Sequence, residues 1–201
     1  ISVSGGEPAG GLAAINEGTI VNCSVNGQVR GIDYPRPPVI GARGTGGLVG
    51  QNEAGTISDC HTLCAVTGGV ATGGLAGNNL TTPMEDRFSV ITLSSSAGTV
   101  VSDMGITGGL VGMNDAFCII SDSYATGPVT GFNNVGGLVG WNAGEVERCH
   151  ASGNVAGTGD YFEGFIGGLV GDTIQGTVTN CYATGAVTGY IDVGGLAGRS
   201  G

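Results

Sequence analysis

Lysine is absent from this chain, and aromatic residues make up only 5% of it. Just 11% of residues are charged, and the six cationic side chains are all arginine against 16 carboxylates, a net charge of −10. A surface of that sign repels phosphate backbones, which excludes a nucleic-acid-binding role. No apolar run approaches the ~20 residues that span a bilayer, so no membrane-spanning helix is expected. Cysteine pairs at C-x2-C spacing are missing, which removes the usual structural zinc site. There is no Walker loop and no HExxH, and no serine sits in a His–carboxylate setting with motif support. The carboxylates are scattered, and Arg30, Arg36, Arg43, Arg87, Arg148 and Arg199 fall on different repeat positions. A groove of converging charges, as a glycan-active enzyme needs, is therefore not expected. The chain begins at Ile1 without a signal-peptide core, which reads as a processed subunit or an excised piece.

What is abundant is glycine, 43 of 201 residues, and it is not spaced every third residue as in collagen. It is concentrated in one phrase. Gly-Gly-Leu-Val-Gly or Gly-Gly-Leu-Ala-Gly occurs six times, and a weaker copy opens the series, with the leucines at Leu12, Leu48, Leu75, Leu110, Leu138, Leu169 and Leu196. They lie 27 to 36 residues apart, a period of about 31. A period of this size marks a stacked-repeat architecture. Four residues past each leucine stands Asn16, Asn52, Asn79, Asn114 or Asn142, usually followed closely by glycine, a pattern that marks a corner. A short strand then leads to Cys23, Cys60, Cys149 and Cys181, with Ser123 in the equivalent place of the Leu110 copy. Beyond it small or apolar residues alternate with polar ones and end on Val29, Val66, Val129, Val155 and Val187. Period-two alternation is the signature of a strand with one face inward.

These features predict one all-β domain over 1–201, a parallel β-solenoid (β-helix) of about six coils. Each coil is a path of roughly 100 Å, stacked in register ~4.8 Å from the next. The Leu75 copy fits poorly over 80–97 and is expected to carry an irregular insertion there, with Gly98-Thr99-Val100 standing for the next corner and strand. Both ends are expected to be partial coils. Within the repeated phrase, leucine and the residue after it are both apolar. Neighbouring strand residues point to opposite faces, so this strand is expected to be buried on both sides, the outer one under a corner loop or a second subunit.

At these residues the chain resembles the GLUG-motif family, named for its Gly-Leu-x-Gly core, seen here at Gly47-Leu48-Val49-Gly50, Gly74-Leu75-Ala76-Gly77 and four further places. The family occurs in prokaryotic surface proteins, filamentous adhesins and the non-catalytic repeat region of large immunoglobulin A peptidases. The resemblance implies an extracellular or cell-surface repeat protein. It carries over no catalytic residue and no cofactor.

The cysteines are the remaining candidate chemistry. The shared repeat position makes Cys23, Cys60, Cys149 and Cys181 a column of small thiols. Disulfides Cys23–Cys60 and Cys149–Cys181 are the alternative, disfavoured because parallel in-register side chains sit wider apart than the ~3.8 Å Cβ separation a disulfide prefers. Cys64 and Cys118 lie off the column and are candidates for an intermolecular disulfide. His61 and His150 each follow a column cysteine and are expected on the surface. Threonine columns of the ice-binding kind are interrupted, one by Arg30 and Ala156, the other by Ile119 and Glu145. Two N-glycosylation acceptor patterns, Asn22-Cys23-Ser24 and Asn79-Leu80-Thr81, are what a chain this rich in Asn and Thr produces by chance. The expected function is that of a non-catalytic structural subunit. It would assemble with copies of itself, head to tail and laterally, into a fibre, sheath or surface layer. Adhesin modules with surface glycans or host proteins as partners are the alternative, with an enzyme or an ice-binding protein ranked below.

Overall fold

The computed structural model describes residues 1–32, 43–82, 87–159 and 164–201. Every regular element among them is a β-strand. Thirty-one short strands form four sheets of 11, 7, 7 and 6 strands, here called A, B, C and D, and every pairing within them is parallel. The repeat dictates the topology. Each passage of the phrase adds one layer, in the chain order A, B, C, D, and each strand pairs with its equivalent one repeat away. Sheet C shows this directly: Ala13, Val49, Ala76, Val111, Val139, Val170 and Ala197 form one register column.

The corner from D to A has one backbone signature. Asn22, Asp59, Leu93, Asp122, Arg148 and Asn180 all adopt the left-handed conformation, with φ between 50° and 55°. Asparagine and aspartate tolerate that region; leucine and arginine are held there by the paired strands on either side. Sheet A is a single long strand in the layers Ser24–Ile32 and His61–Gly68 and divides into two short strands in later layers. The division coincides with Gly98, Gly127, Gly153 and Gly185. A Cβ on any of these would overlap a carbonyl of the preceding layer, at Cys64, Gly98, Gly127 and Gly153 respectively.

The repeated phrase is a hairpin between sheets B and C. At Gly136-Gly137-Leu138 the chain doubles back so tightly that a Cβ on Gly136 would overlap the Val139 carbonyl. The tip reaches the inner side of sheet A, where a Cβ on Gly137 would lie 3.0 Å from Ala151 Cβ. Sheet C then runs along the back of sheet B: a Cβ on Gly112 would lie 2.8 Å from Thr72 N. The outer half of A, sheet B and sheet C are thus packed as three layers. The strand is buried on both sides, as expected, but the leucine and the residue after it do not face opposite ways, and the outer side lies under sheet B rather than under a corner loop or a second subunit. Leu48 and Val49, and their equivalents through Leu169 and Val170, lie in one apolar cluster with Ile57, Cys60 and Val66. The chain turns between the paired residues, so they share a core, and sheet B of the same chain covers the back of the strand. A smaller cluster of Val129, Val135, Val155 and Ile166 fills the space between A and B.

The structure also revises the Leu75 copy. Val90–Thr92 pairs in register with Thr56–Ser58, and Ser95 and Ser96 pair with His61 and Thr62. Most of the second half of 80–97 is therefore regular, and residues 83–86 lie outside the described residues. Val100 aligns with Val66 and Val129 in sheet A, not with the Ile57 strand in sheet D. The register signal is weak here because serine replaces cysteine at position 94.

Candidate functional site

The side chains the sequence singles out fall into ladders running along the stack. The first lies just after the left-handed corner and contains Cys23, Cys60, Ser94, Ser123, Cys149 and Cys181. Each hydroxyl or thiol donates to the carbonyl two residues earlier: Ser94 Oγ to Thr92 at 2.7 Å, Ser123 Oγ to Ser121 at 2.6 Å, Cys149 Sγ to Glu147 at 3.1 Å and Cys181 Sγ to Thr179 at 3.1 Å. The same atom accepts a backbone N–H from the layer before: Cys60 donates to Ser94 Oγ and Ser94 to Ser123 Oγ, both at 3.1 Å, and Cys149 to Cys181 Sγ at 3.3 Å. The corner thus requires a small side chain that both donates and accepts, which cysteine and serine supply and alanine does not. All six cysteines are free thiols.

Burial separates these thiols. Cys118 is fully buried, and desolvation pushes its thiol up to about 12; burial also raises Cys60 and Cys64. Cys64 and Cys118 therefore cannot serve as surface bridging residues, which corrects the expectation of an intermolecular disulfide. Cys64 belongs to the inward set of its strand with Thr62 and Val66, and Cys118 packs below the Asn114 corner. Cys181 is half-buried, and a hydrogen bond from the Cys149 side chain brings its thiol down to about 7; Cys149 is raised by the same contact.

The second ladder is the asparagine column. Asn16 Nδ2 donates to Asn52 Oδ1 at 2.7 Å, Asn52 to Asn79 at 2.8 Å, Asn79 to Asn114 at 2.9 Å and Asn114 to Asn142 at 2.8 Å. All are buried. Their other bonds go to the corner itself, as in Asn52 Nδ2 to Gly55 O at 2.9 Å. The sequence marks these positions as corners; that they bond to one another along the stack needs the register.

The outward face of sheet A carries the histidines. His61 and His150 share a register column with Ser24, Ser95, Tyr124 and Tyr182. His150 is stacked between Tyr124 and Tyr182, with ring centroids 5.0 and 4.9 Å apart. The rings use their faces on one another and present edges to solvent. The valine column is continuous: Val3, Val29, Val66, Val100, Val129, Val155 and Val187 lie in register. Threonines of the outward columns are interrupted further by Val101 and Val90.

Several charged groups tie neighbouring layers together. Arg148 pairs with Asp122 of the preceding layer through two 2.7 Å hydrogen bonds and also with Glu147; the guanidinium holds the Asp122 carboxyl below its ordinary range. Arg199 grips the buried Asp172 at 2.8 and 2.6 Å and lies 4.0 Å over the Phe165 ring. Glu7, which sequence reasoning passed over, is buried and ties three layers together by accepting from Thr45 Oγ1 at 2.7 Å and Gly69 N at 2.8 Å. No group of three or more His, Cys, Asp or Glu side chains able to hold a metal occurs among the described residues.

The geometry defines a stacked all-β repeat chain whose polar groups serve the stacking. Comparison with known families agrees with it: the chain carries the GLUG motif, with the family profile "The GLUG motif" matching residues 41–62, 133–156 and 164–188. Among curated proteins it is similar to halomucin of Haloquadratum walsbyi (strain DSM 16790 / HBSQ001), with 36% identity over 133 aligned positions. That similarity covers 50% of this chain and 2% of the relative's length. No solved structure matches.

Proposed function

We propose that this chain is a non-catalytic extracellular structural protein, a single β-solenoid of about six coils that extends by stacking end to end on copies of itself. One observation carries the reading. Every coil repeats one register: in sheet C Ala13, Val49, Ala76, Val111, Val139, Val170 and Ala197 stack in a single column, and the leucines beside its inner members, Leu48, Leu75, Leu110, Leu138 and Leu169, are 0% exposed because a coil lies on either side. A coil of that register is a template for another of the same kind on either edge, and a second copy of this chain offers such a coil. The GLUG motif and the likeness to a protein named as a mucin support the extracellular setting. The arginines and acids committed to Asp122–Arg148 and Asp172–Arg199 support a structural rather than catalytic use of charge.

A second reading has its own support. Since the chain spans 2% of halomucin's length, GLUG-like segments also occur inside far longer polypeptides. There the end faces are covered by further coils of the same chain, and the outer faces serve adhesion to glycans or proteins. Sizing the native material separates the two. Light scattering and electron microscopy showing ordered polymers of a 19.7 kDa polypeptide support end-to-end assembly. A stable monomer of that polypeptide at high concentration, or a much longer native chain, defeats it. Turnover on a polysaccharide panel that a single carboxylate substitution abolishes would defeat the non-catalytic reading.

A further inference from the structure

The two N-glycosylation acceptor patterns are alike in sequence and opposite in structure. Asn79 is fully buried; its Oδ1 accepts from Asn52, its Nδ2 donates to Asn114 at 2.9 Å, and a sugar on that nitrogen would break the ladder and the core beside it. Asn22 is exposed, as are its neighbours Val21 and Ser24. It sits at the left-handed corner with φ 53°, where its backbone N–H donates to Ser58 O at 3.0 Å and its side-chain amide takes no hydrogen bond among the described residues. The residue pattern Asn-x-Ser/Thr is an acceptor for sugar only on such an exposed turn of a secreted chain.

We propose that Asn22 is an N-glycosylation site, taking an oligosaccharide from a lipid-phosphate-linked donor. In the transfer, Nδ2 of Asn22 forms a bond to the anomeric carbon of the reducing-end sugar and loses one proton. The bond from that carbon to the carrier's phosphate oxygen breaks, the lipid phosphate leaves with the electron pair, and the amide proton passes through solvent to that phosphate. The Ser24 hydroxyl, two residues on, is the recognition element. The inference rests on the extracellular reading above, since a chain kept inside the cell never meets such a donor in its transfer compartment.

The fold supplies its own control. Asn180 occupies the same corner one end-to-end span away, exposed and with φ 55°, but is followed by Cys181-Tyr182 and so lacks the hydroxyl. It should be bare, and Tyr182→Ser should make it an acceptor.

The absence of lysine makes the test simple, because trypsin then releases Asn22 in a peptide ending at Arg30, Asn79 in 44–87 and Asn180 in 149–199. The native protein is purified from its source cells after fractionation, and the three peptides are weighed by mass spectrometry. The expected result is an extracellular chain with a sugar-sized mass increment on Asn22 and none on Asn79. The increment should vanish in Asn22→Gln and Ser24→Ala, persist in Ser24→Thr, and appear on Asn180 in Tyr182→Ser. An extracellular chain with Asn22 unmodified overturns this inference and leaves the extracellular reading standing. An intracellular chain overturns both. Sugar on Asn79 overturns the burial argument.

Discussion

Asn114 takes one hydrogen bond from the coil before it and gives one to the coil after it, both wholly buried. Asn114→Ala would leave the Asn79 amide group and the Asn142 carbonyl short of a partner, at about 1–3 kcal/mol for each orphaned group. For a chain of this size roughly 2–4 °C of melting temperature is lost per kcal/mol. Thermal unfolding followed by circular dichroism should show a drop of several degrees, larger than that of Asn26→Ala, whose side chain is exposed. The thiols give a pH test. Because hydrogen bonding lowers Cys181 to about 7 from an ordinary 9.0, its thiolate is present at neutral pH, and its alkylation should accelerate through pH 7 and level off by about pH 8. Cys149→Ala removes the side-chain contact but keeps the backbone N–H at 3.3 Å, so the midpoint should move only part of the way back toward 9.0. Cys118, pushed up to about 12, should stay unreacted in the folded chain. Peptide mapping after timed iodoacetamide treatment reads all three.

The hairpin element shows what the sequence reveals and where it stops. Period-two alternation made the column Val29, Val66, Val129, Val155 and Val187 legible, and the recurring Cys and Asn positions were legible as columns and corners. The doubling back at Gly-Gly-Leu was not. A 31-residue repeat fixes which residues share a register but carries no sign for the direction in which a turn folds, and here the turn folds inward. Ser94 was missed for a different reason: what the corner needs is a small donor-acceptor, and identity to cysteine is an incomplete proxy for that. Two substitutions test the hairpin. Val139→Lys places an ammonium in the core rather than on a contact surface, a penalty of several kcal/mol, so folding itself should fail. Gly136→Val would drive a side chain into the Val139 carbonyl and the Gly171 backbone, and cooperative unfolding should be lost. A folded, cooperatively melting Val139→Lys protein would mean that this side chain does not face the closed core.

At the scale of the whole molecule, the exposed end coils are where stability and assembly meet. Leu12 and Leu196 lie on opposite ends, so Leu12→Glu or Leu196→Glu should reduce end-to-end association while leaving the melting temperature within about 1–2 °C, as expected for exposed positions. Concentration-dependent light scattering checks this: association unchanged in both variants would rule out these faces as the joint. The asparagine ladder adds a constraint of another kind. Every amide in it points its NH2 toward the C-terminal end, from Asn16 through to Asn142, where Nδ2 passes to Gly144 O at 3.2 Å. The five dipoles add head to tail, so the rod is a vector with a donor end and an acceptor end. A fibre grown from such rods inherits the arrow: it has a barbed and a trailing tip, lengthens by unlike ends only, and should bind a label against the Leu12 face at one tip alone.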